Sequence, residues 1–276
     1  MSPTETTNKW DGNAMSQDDM MEKDTVLVLD KDDNVTGAGS KKGTHQFNPS
    51  QPRGVLHRAF SVFMFDKNTQ ELLLQKRAST KITFPNVWTN TCCSHPLHGM
   101  TPSEVDTPED VANGTVMGVK NAAIRKLWHE LGIPSDEVPI EDFKFLTRLH
   151  YWACDTITHG KTTSPWGEHE IDYVLFIIVD KTKLTVKPHP DEVDDVKWVS
   201  KQELIDGMKE GLWSPWFRII ANRWLVSENG WWDDLLETTM KTQEKCDFVN
   251  ISRFDPPEEH MGGLGEAGPW LSTEEK

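Results

Sequence analysis

Val119-Lys120-Asn121-Ala122-Ala123-Ile124-Arg125-Lys126-Leu127-Trp128-His129-Glu130-Leu131-Gly132 is the clearest helical signal in the chain. Ala, Leu and Lys favour helix, and Gly132 suits the residue just past a helix end. Val119, Ala123, Leu127 and Leu131 recur every four residues and predict a core face. Lys126 and Glu130 are i, i+4 neighbours, which by itself reads as a surface salt bridge. Outside this helix the pattern turns to short strands: 25–30 and 35–39 as a hairpin, 57–65 with 71–76 as another, then 143–153, 167–179, 183–190 and 193–199. The 57–65 strand has two faces, His57, Ala59, Ser61, Phe63, Phe65 and Arg58, Phe60, Val62, Met64. The small Ala59 and Ser61 beside His57 leave room for a ligand. Ser200-Lys201-Gln202-Glu203 is a capping box, and Ser214-Pro215-Trp216 opens a Trp-rich helix running to about 240. Strands around one central helix, with helices following, predict an α/β (α+β) domain with a mixed sheet.

Composition bounds the rest. The chain has 276 residues, 36% hydrophobic and 26% charged, enough for a sizeable core, and a net charge of −15. Such acidity argues against a nucleic-acid or anionic-membrane binder, so clustered Lys and Arg need a local reason such as a phosphate. Four cysteines, two of them adjacent, fit a reducing compartment rather than a disulfide framework. No apolar run approaches the roughly 20 residues of a membrane helix, and a cytoplasmic protein is expected, with plastid or peroxisome delivery left open. Residues 1–22 read as a disordered acidic tail, 23–240 as a single domain, and 241–276 as a Pro/Gly/Glu-rich tail. Residues 41–45 and 155–167 read as loops, and 98–117 as a surface insertion.

Reactive groups gather in Thr89-Asn90-Thr91-Cys92-Cys93-Ser94-His95-Pro96-Leu97. Pro96 biases His95 to extended backbone, and in extended chain Cys93 and His95 point to one side while Cys92 points away. A Cys/His catalytic site, inert buried thiols, or half of a zinc site are the alternatives; the usual Cys-x₂₋₄-Cys spacing is missing for zinc. Further on, Gly167-Glu168-His169-Glu170 enters a strand with both glutamates on one face. Adjacent carboxylates repel, so either a divalent cation sits between them or the strand end is solvated.

From about 24 to 240 the chain resembles type I isopentenyl-diphosphate Δ-isomerases of the Nudix superfamily. The motifs that carry this are Leu56-His57-Arg58-Ala59-Phe60-Ser61, Thr89 to Leu97, Gly167-Glu168-His169-Glu170 and Ser214-Pro215-Trp216-Phe217. The resemblance implies a Nudix-type mixed sheet sandwiched by helices. It also implies a metal site of His45, His57, His95, Glu168 and Glu170, suited to Mg²⁺, Mn²⁺ or Zn²⁺. Lys41, Arg77, Lys81 and Lys126 match the family's diphosphate site, and Glu130 matches a ligand of a diphosphate-bound Mg²⁺. Cys93 and Glu170 match the acid/base pair, Tyr151 a hydroxyl beside the glutamate, and Trp216 a π face over a carbocation. The 119–132 helix resembles a degenerate Nudix box: Lys126 and His129 replace glutamates, and Met117 stands where an upstream glutamate is expected. That departure disfavours the alternative, hydrolysis of a nucleoside diphosphate derivative. The implied partner is a small isoprenoid diphosphate, with no nucleic acid, no membrane insertion, and a monomeric enzyme of isoprenoid biosynthesis.

Overall fold

The computed structural model describes residues 16–159, 164–237 and 246–254. In chain order its elements are α1 (Gln17–Lys23), β1 (Thr25–Leu29), β2 (Val35–Ser40), α2 (Lys41–His45), β3 (His57–Asp66), β4 (Leu72–Arg77), β5 (Trp88–Thr89), β6 (Cys92–Ser94), α3 (Pro108–Ala112), α4 (Met117–Leu131), β7 (Lys144–Cys154), α5 (Thr156–His159), β8 (Gly167–Val179), β9 (Val193–Val199), α6 (Lys201–Gly207), α7 (Pro215–Ile220), α8 (Trp231–Glu237) and β10 (Ile251–Phe254). The sheet is mixed. β3 runs parallel to β8 from His57↔Glu170 to Asp66↔Val179 and antiparallel to β6, while β7 and β8 are antiparallel.

Period 2 along β3 builds two cores, as expected from its sequence. Phe60, Val62 and Met64 pack with Val119, Ala123, Leu127 and Leu131 of α4. Phe63 and Phe65 pack on the other side with Trp213, Trp216, Phe217, Ile220 and Trp231. Helices therefore cover both faces of the sheet. β6 splits the cysteine pair between these layers: Cys92 is buried in the α4 core, while Cys93 packs against the tryptophan-rich one.

Several sequence expectations are corrected. Residues 17–22, expected to belong to a disordered tail, lie in α1, whose capping box joins Ser16 and Asp19. Met20 and Met21 are buried there, so the polar pattern concealed two anchoring side chains. The expected C-terminal tail contains β10, which pairs in parallel with β7 from Ile251↔Arg148 to Phe254↔Tyr151. Residues 1–15 and 255–276 lie outside those described. The 41–45 loop is the helical turn α2, capped by Ser40. The 155–167 loop contains α5.

No strand forms over 183–190. Pro188 and Pro190 lack donors for a ladder, and the backbone is used elsewhere: Lys187 and His189 donate their N–H groups to Leu131 O (2.6 Å) and Glu130 O (2.9 Å), closing the end of α4. Gly132 takes the left-handed φ of 62° that terminates this helix, where a Cβ would stand 2.7 Å from Lys187 O. The 98–117 segment is more than a surface insertion. Its Asp106 accepts the N–H groups of Gly118 (2.6 Å) and Val119 (2.9 Å), capping α4 from outside the helix. The Trp-rich helix is interrupted, widening into a π turn over Ala221–Leu225 before α8.

Candidate active site

Five ligand-type side chains meet at the His57 end of β3. His45 ends α2, His57 starts β3, His95 follows β6, and Glu168 and Glu170 begin β8. All five are buried, and one ligand atom from each lies within 4.8 Å of the others. The β3–β8 register sets this directly, because His57 faces Glu170. His45 Nε2 is 2.9 Å from Glu168 Oε2, and His95 Nε2 is 2.8 Å from Glu170 Oε1.

The donor set fits a divalent cation. His45 Nε2, His57 Nε2 and Glu168 Oε2 are buried at the cluster with no hydrogen-bond partner outside it, a costly arrangement unless an ion engages them. The opposite nitrogens of these two rings are occupied: His45 Nδ1 contacts Lys41 O at 2.6 Å and His57 Nδ1 contacts Val55 O at 2.7 Å. With Nδ1–H donating to a carbonyl, each Nε2 lone pair is aimed at the cluster. Burial would raise both carboxylates, but His45 beside Glu168 and His57 with Tyr151 beside Glu170 hold them below their ordinary range. Burial and the neighbouring His45 and His57 hold His95 far below the usual imidazole range, which favours the neutral ring.

A cavity of about 40 Å³ adjoins the cluster, lined among others by Ser61, Cys93, Tyr151, Glu170 and Trp216. Cys93 and Glu170 reach it from strands on opposite edges of β3, since β6 pairs with one edge and β8 with the other. Tyr151 is brought in by the Tyr151↔Glu170 register, and its hydroxyl donates to Glu170 Oε2 at 2.5 Å. Burial pushes the Cys93 thiol up to about 12, against the lowering effect of Arg77. Arg77 Nη1 donates to Cys93 Sγ at 3.7 Å, and the guanidinium lies 5.5 Å from the Trp216 ring centre.

The cationic residues gather at the same place, though unevenly. Lys41, Arg77, Lys81 and Glu130 line the cavity. Lys126 sits beside it, with Nζ 3.1 Å from Glu130 Oε1 and 2.9 Å from His129 Nδ1. The Lys126–Glu130 pair is buried, so it is no surface salt bridge. Burial and the like charge of Lys81 bring Lys41 down to about 8. Arg77 is also held by Phe84 O (2.9 Å) and Thr83 O (2.8 Å), which fixes it toward the thiol.

Sequence reasoning missed Glu192. It is buried just before β9, pairs with Lys81, and lies 3.9 Å from Lys126. Gln17 of α1 donates to it at 2.9 Å. The opposing lysines hold its carboxylate well below the ordinary range against burial. An acid within Pro188-His189-Pro190-Asp191-Glu192 carries no periodic signal, because its partners come from three distant segments.

A NUDIX domain model matches residues 55–220. The isopentenyl-diphosphate delta-isomerase I of Camptotheca acuminata is 41% identical over 242 residues, covering 85% of this chain and 93% of that one. The isopentenyl-diphosphate delta-isomerase of Candida albicans is 46% identical over 236 residues, covering 82% and 78%. The isopentenyl-diphosphate delta-isomerase II, chloroplastic, of Arabidopsis thaliana is 41% identical over 242 residues, covering 85% and 77%. With identity of this extent on a mixed sheet covered by helices, the chain belongs to the isopentenyl-diphosphate Δ-isomerase family and carries its NUDIX domain.

Proposed function

We propose that this protein interconverts isopentenyl diphosphate and dimethylallyl diphosphate. The observation that carries the reading is the meeting of Cys93, Tyr151, Glu170 and Trp216 around one small cavity beside a five-ligand cluster. The reaction adds a proton to the terminal carbon of an unactivated alkene, giving a tertiary carbocation, and removes a proton from the neighbouring carbon. One group gives a proton and another takes one, so no net proton is consumed. Cys93 and Glu170 are the pair we assign to these transfers, with Tyr151 orienting the carboxylate through its hydrogen bond. The two arrive from opposite edges of β3, which suits a flat substrate held between them. Trp216 offers a π face to the cation, an interaction of about 2 kcal/mol or more when desolvated. The buried walls keep out water that would trap the cation.

Lys41, Arg77, Lys81 and Lys126 are the residues we assign to the diphosphate, and Glu130 to an Mg²⁺ that enters with it. His45, His57, His95, Glu168 and Glu170 would hold Mg²⁺, Mn²⁺ or Zn²⁺, which when bound supplies fixed positive charge beside the carboxylates. The described part of α4 offers Glu130 as its only acidic side chain, which speaks against the metal-rich site of a Nudix hydrolase. Among the described residues no helix is long and apolar enough to cross a membrane. Cys92, Cys93 and Cys154 form no disulfide, which fits the reducing, cytoplasmic compartment we assign to the enzyme. The deciding experiment is incubation of the purified protein with isopentenyl diphosphate and Mg²⁺. Dimethylallyl diphosphate is the expected product; phosphate release without it would sink the reading.

A further inference from the structure

We propose that Asn90 is a positioning residue that holds the Trp216 indole in register with the Cys93 thiol. Its side chain is fully buried. Asn90 Oδ1 accepts from Trp216 Nε1 (3.1 Å) and from Thr89 Oγ1 (2.8 Å). Asn90 Nδ2 donates to Cys92 O (2.7 Å) and Val62 O (3.1 Å). Two donors and two acceptor sites are the whole capacity of a carboxamide, so every bond it can make is made. Flipping the amide would set NH₂ against the indole N–H and oxygen against two carbonyls, which fixes its orientation.

The consequence lies in what the amide touches. Cys92 O belongs to the peptide bond that leads into Cys93. Trp216 stands in the first turn of α7, an element distant in sequence from β6. The two segments are braced a second time where Thr89 Oγ1 meets Ser214 Oγ at 2.8 Å and Ser214 N donates to Trp88 O at 3.0 Å. Asn90 joins the indole by direct hydrogen bonds to the peptide that carries the thiol, while Arg77 reaches both the thiol and the ring face from the side. The other neighbours of the Trp216 ring are the Arg77 guanidinium at 5.5 Å, Phe84 at 5.6 Å edge-on and Tyr151 at 6.4 Å, none of which fixes rotation as a directed hydrogen bond does. The inference rests on the reading that Cys93 and Trp216 act at the reacting carbons.

The test is isopentenyl diphosphate isomerisation by Asn90→Ala, Trp216→Phe and the double variant. A displaced π face and thiol should lower kcat of Asn90→Ala roughly a hundredfold, with KM within about threefold because ground-state binding is untouched. Trp216→Phe keeps a ring and removes the N–H, so its kcat should fall about tenfold or more by the same displacement. In that background Asn90→Ala should lose most of its effect, as expected of coupled neighbours. Equal factors in both backgrounds, or a raised KM at unchanged kcat, overturn the proposal. If Asn90→Ala fails to fold, near-normal kcat in Trp216→Phe overturns it instead. A readout apart from turnover is the indole N–H resonance of Trp216, identified among the 12 tryptophans by its loss in Trp216→Phe. It should move upfield in Asn90→Ala while the others hold; an unmoved resonance refutes the bond. A wild-type protein that makes no dimethylallyl diphosphate sinks the functional reading, and the resonance still tests the Asn90–Trp216 contact.

Discussion

At Cys93 the neighbouring thiol provides an internal control. Cys92 is buried in the α4 core, whereas Cys93 lines the cavity. Cys93→Ser keeps the shape but makes proton exchange harder, so kcat should collapse while substrate binding survives. Cys92→Ser should cost about 1 kcal/mol of stability, since it places a hydroxyl in an apolar core, and leave kcat nearly intact. Measured kcat and denaturant midpoints of the two variants separate these outcomes; their reversal would exchange the two thiols. At His95 the expected outcome concerns metal. His95→Ala removes one of five converging ligands, so metal content and activity should fall together. A variant with full metal content and turnover by elemental analysis would remove His95 from the site.

The element that most depends on remote support is α4. Its N-cap, Val116, sits in left-handed conformation at φ 37° and offers no side-chain cap. Asp106 supplies that cap from the 98–117 segment. Asp106→Ala should therefore lower stability by about 1–2 kcal/mol, as lost helix caps do. Lys126 and Glu130 ride on α4, so KM for the diphosphate should rise as well. Urea unfolding together with KM checks both, and unchanged stability would show that the first turn caps itself. The segment looked featureless because its function lies in two carboxylates: Asp106 at this cap, and Glu104, which receives Arg125 Nε at 2.5 Å and Leu97 N at 2.8 Å. Neither bond leaves a periodic trace.

Across the whole molecule, Asp33 ties together the β1–β2 turn, β3, β7 and β8. Its carboxylate receives Arg58 Nη2 at 2.8 Å, Arg148 Nη1 at 2.9 Å and the Tyr173 hydroxyl. Asp33→Ala strands two buried guanidinium groups and should cost about 3–5 kcal/mol. A loss under about 1 kcal/mol in chemical denaturation would mean that water reaches the cluster. Acid sensitivity is also a property of the whole fold. Burial, aided by Lys126 at His129 and by His150 at His169, lowers both imidazoles from 6.5 to about 3. The unfolded chain then binds these protons first. Stability from these two groups is complete above pH 6.5 and is lost as pH falls toward 3, with a slope of about 1.4 kcal/mol per pH unit for each histidine. His169→Asn should reduce the slope between pH 6 and 4.5 by about one histidine's share; an unchanged slope would place the acid sensitivity elsewhere.

Local pattern alone determined much of this protein. Alternation along β3, β8 and β6 put His57 with Ala59 and Ser61, Glu168 with Glu170, and Cys93 opposite to Cys92, because side-chain direction in a strand has a fixed period of 2. The four-residue spacing of Val119, Ala123, Leu127 and Leu131 marked the buried face of α4 for the same kind of reason. Where contacts close over long sequence separation, the sequence was silent. Glu192 acquires its role by meeting Lys81, Lys126 and Gln17. Met20 and Met21 become anchors only once α1 has a surface to lie on, and β10 becomes a strand only because β7 leaves an edge open beside it. Periodicity reports which way a side chain points, but the partner it finds depends on strand register and layer packing, and those exist only in the folded chain.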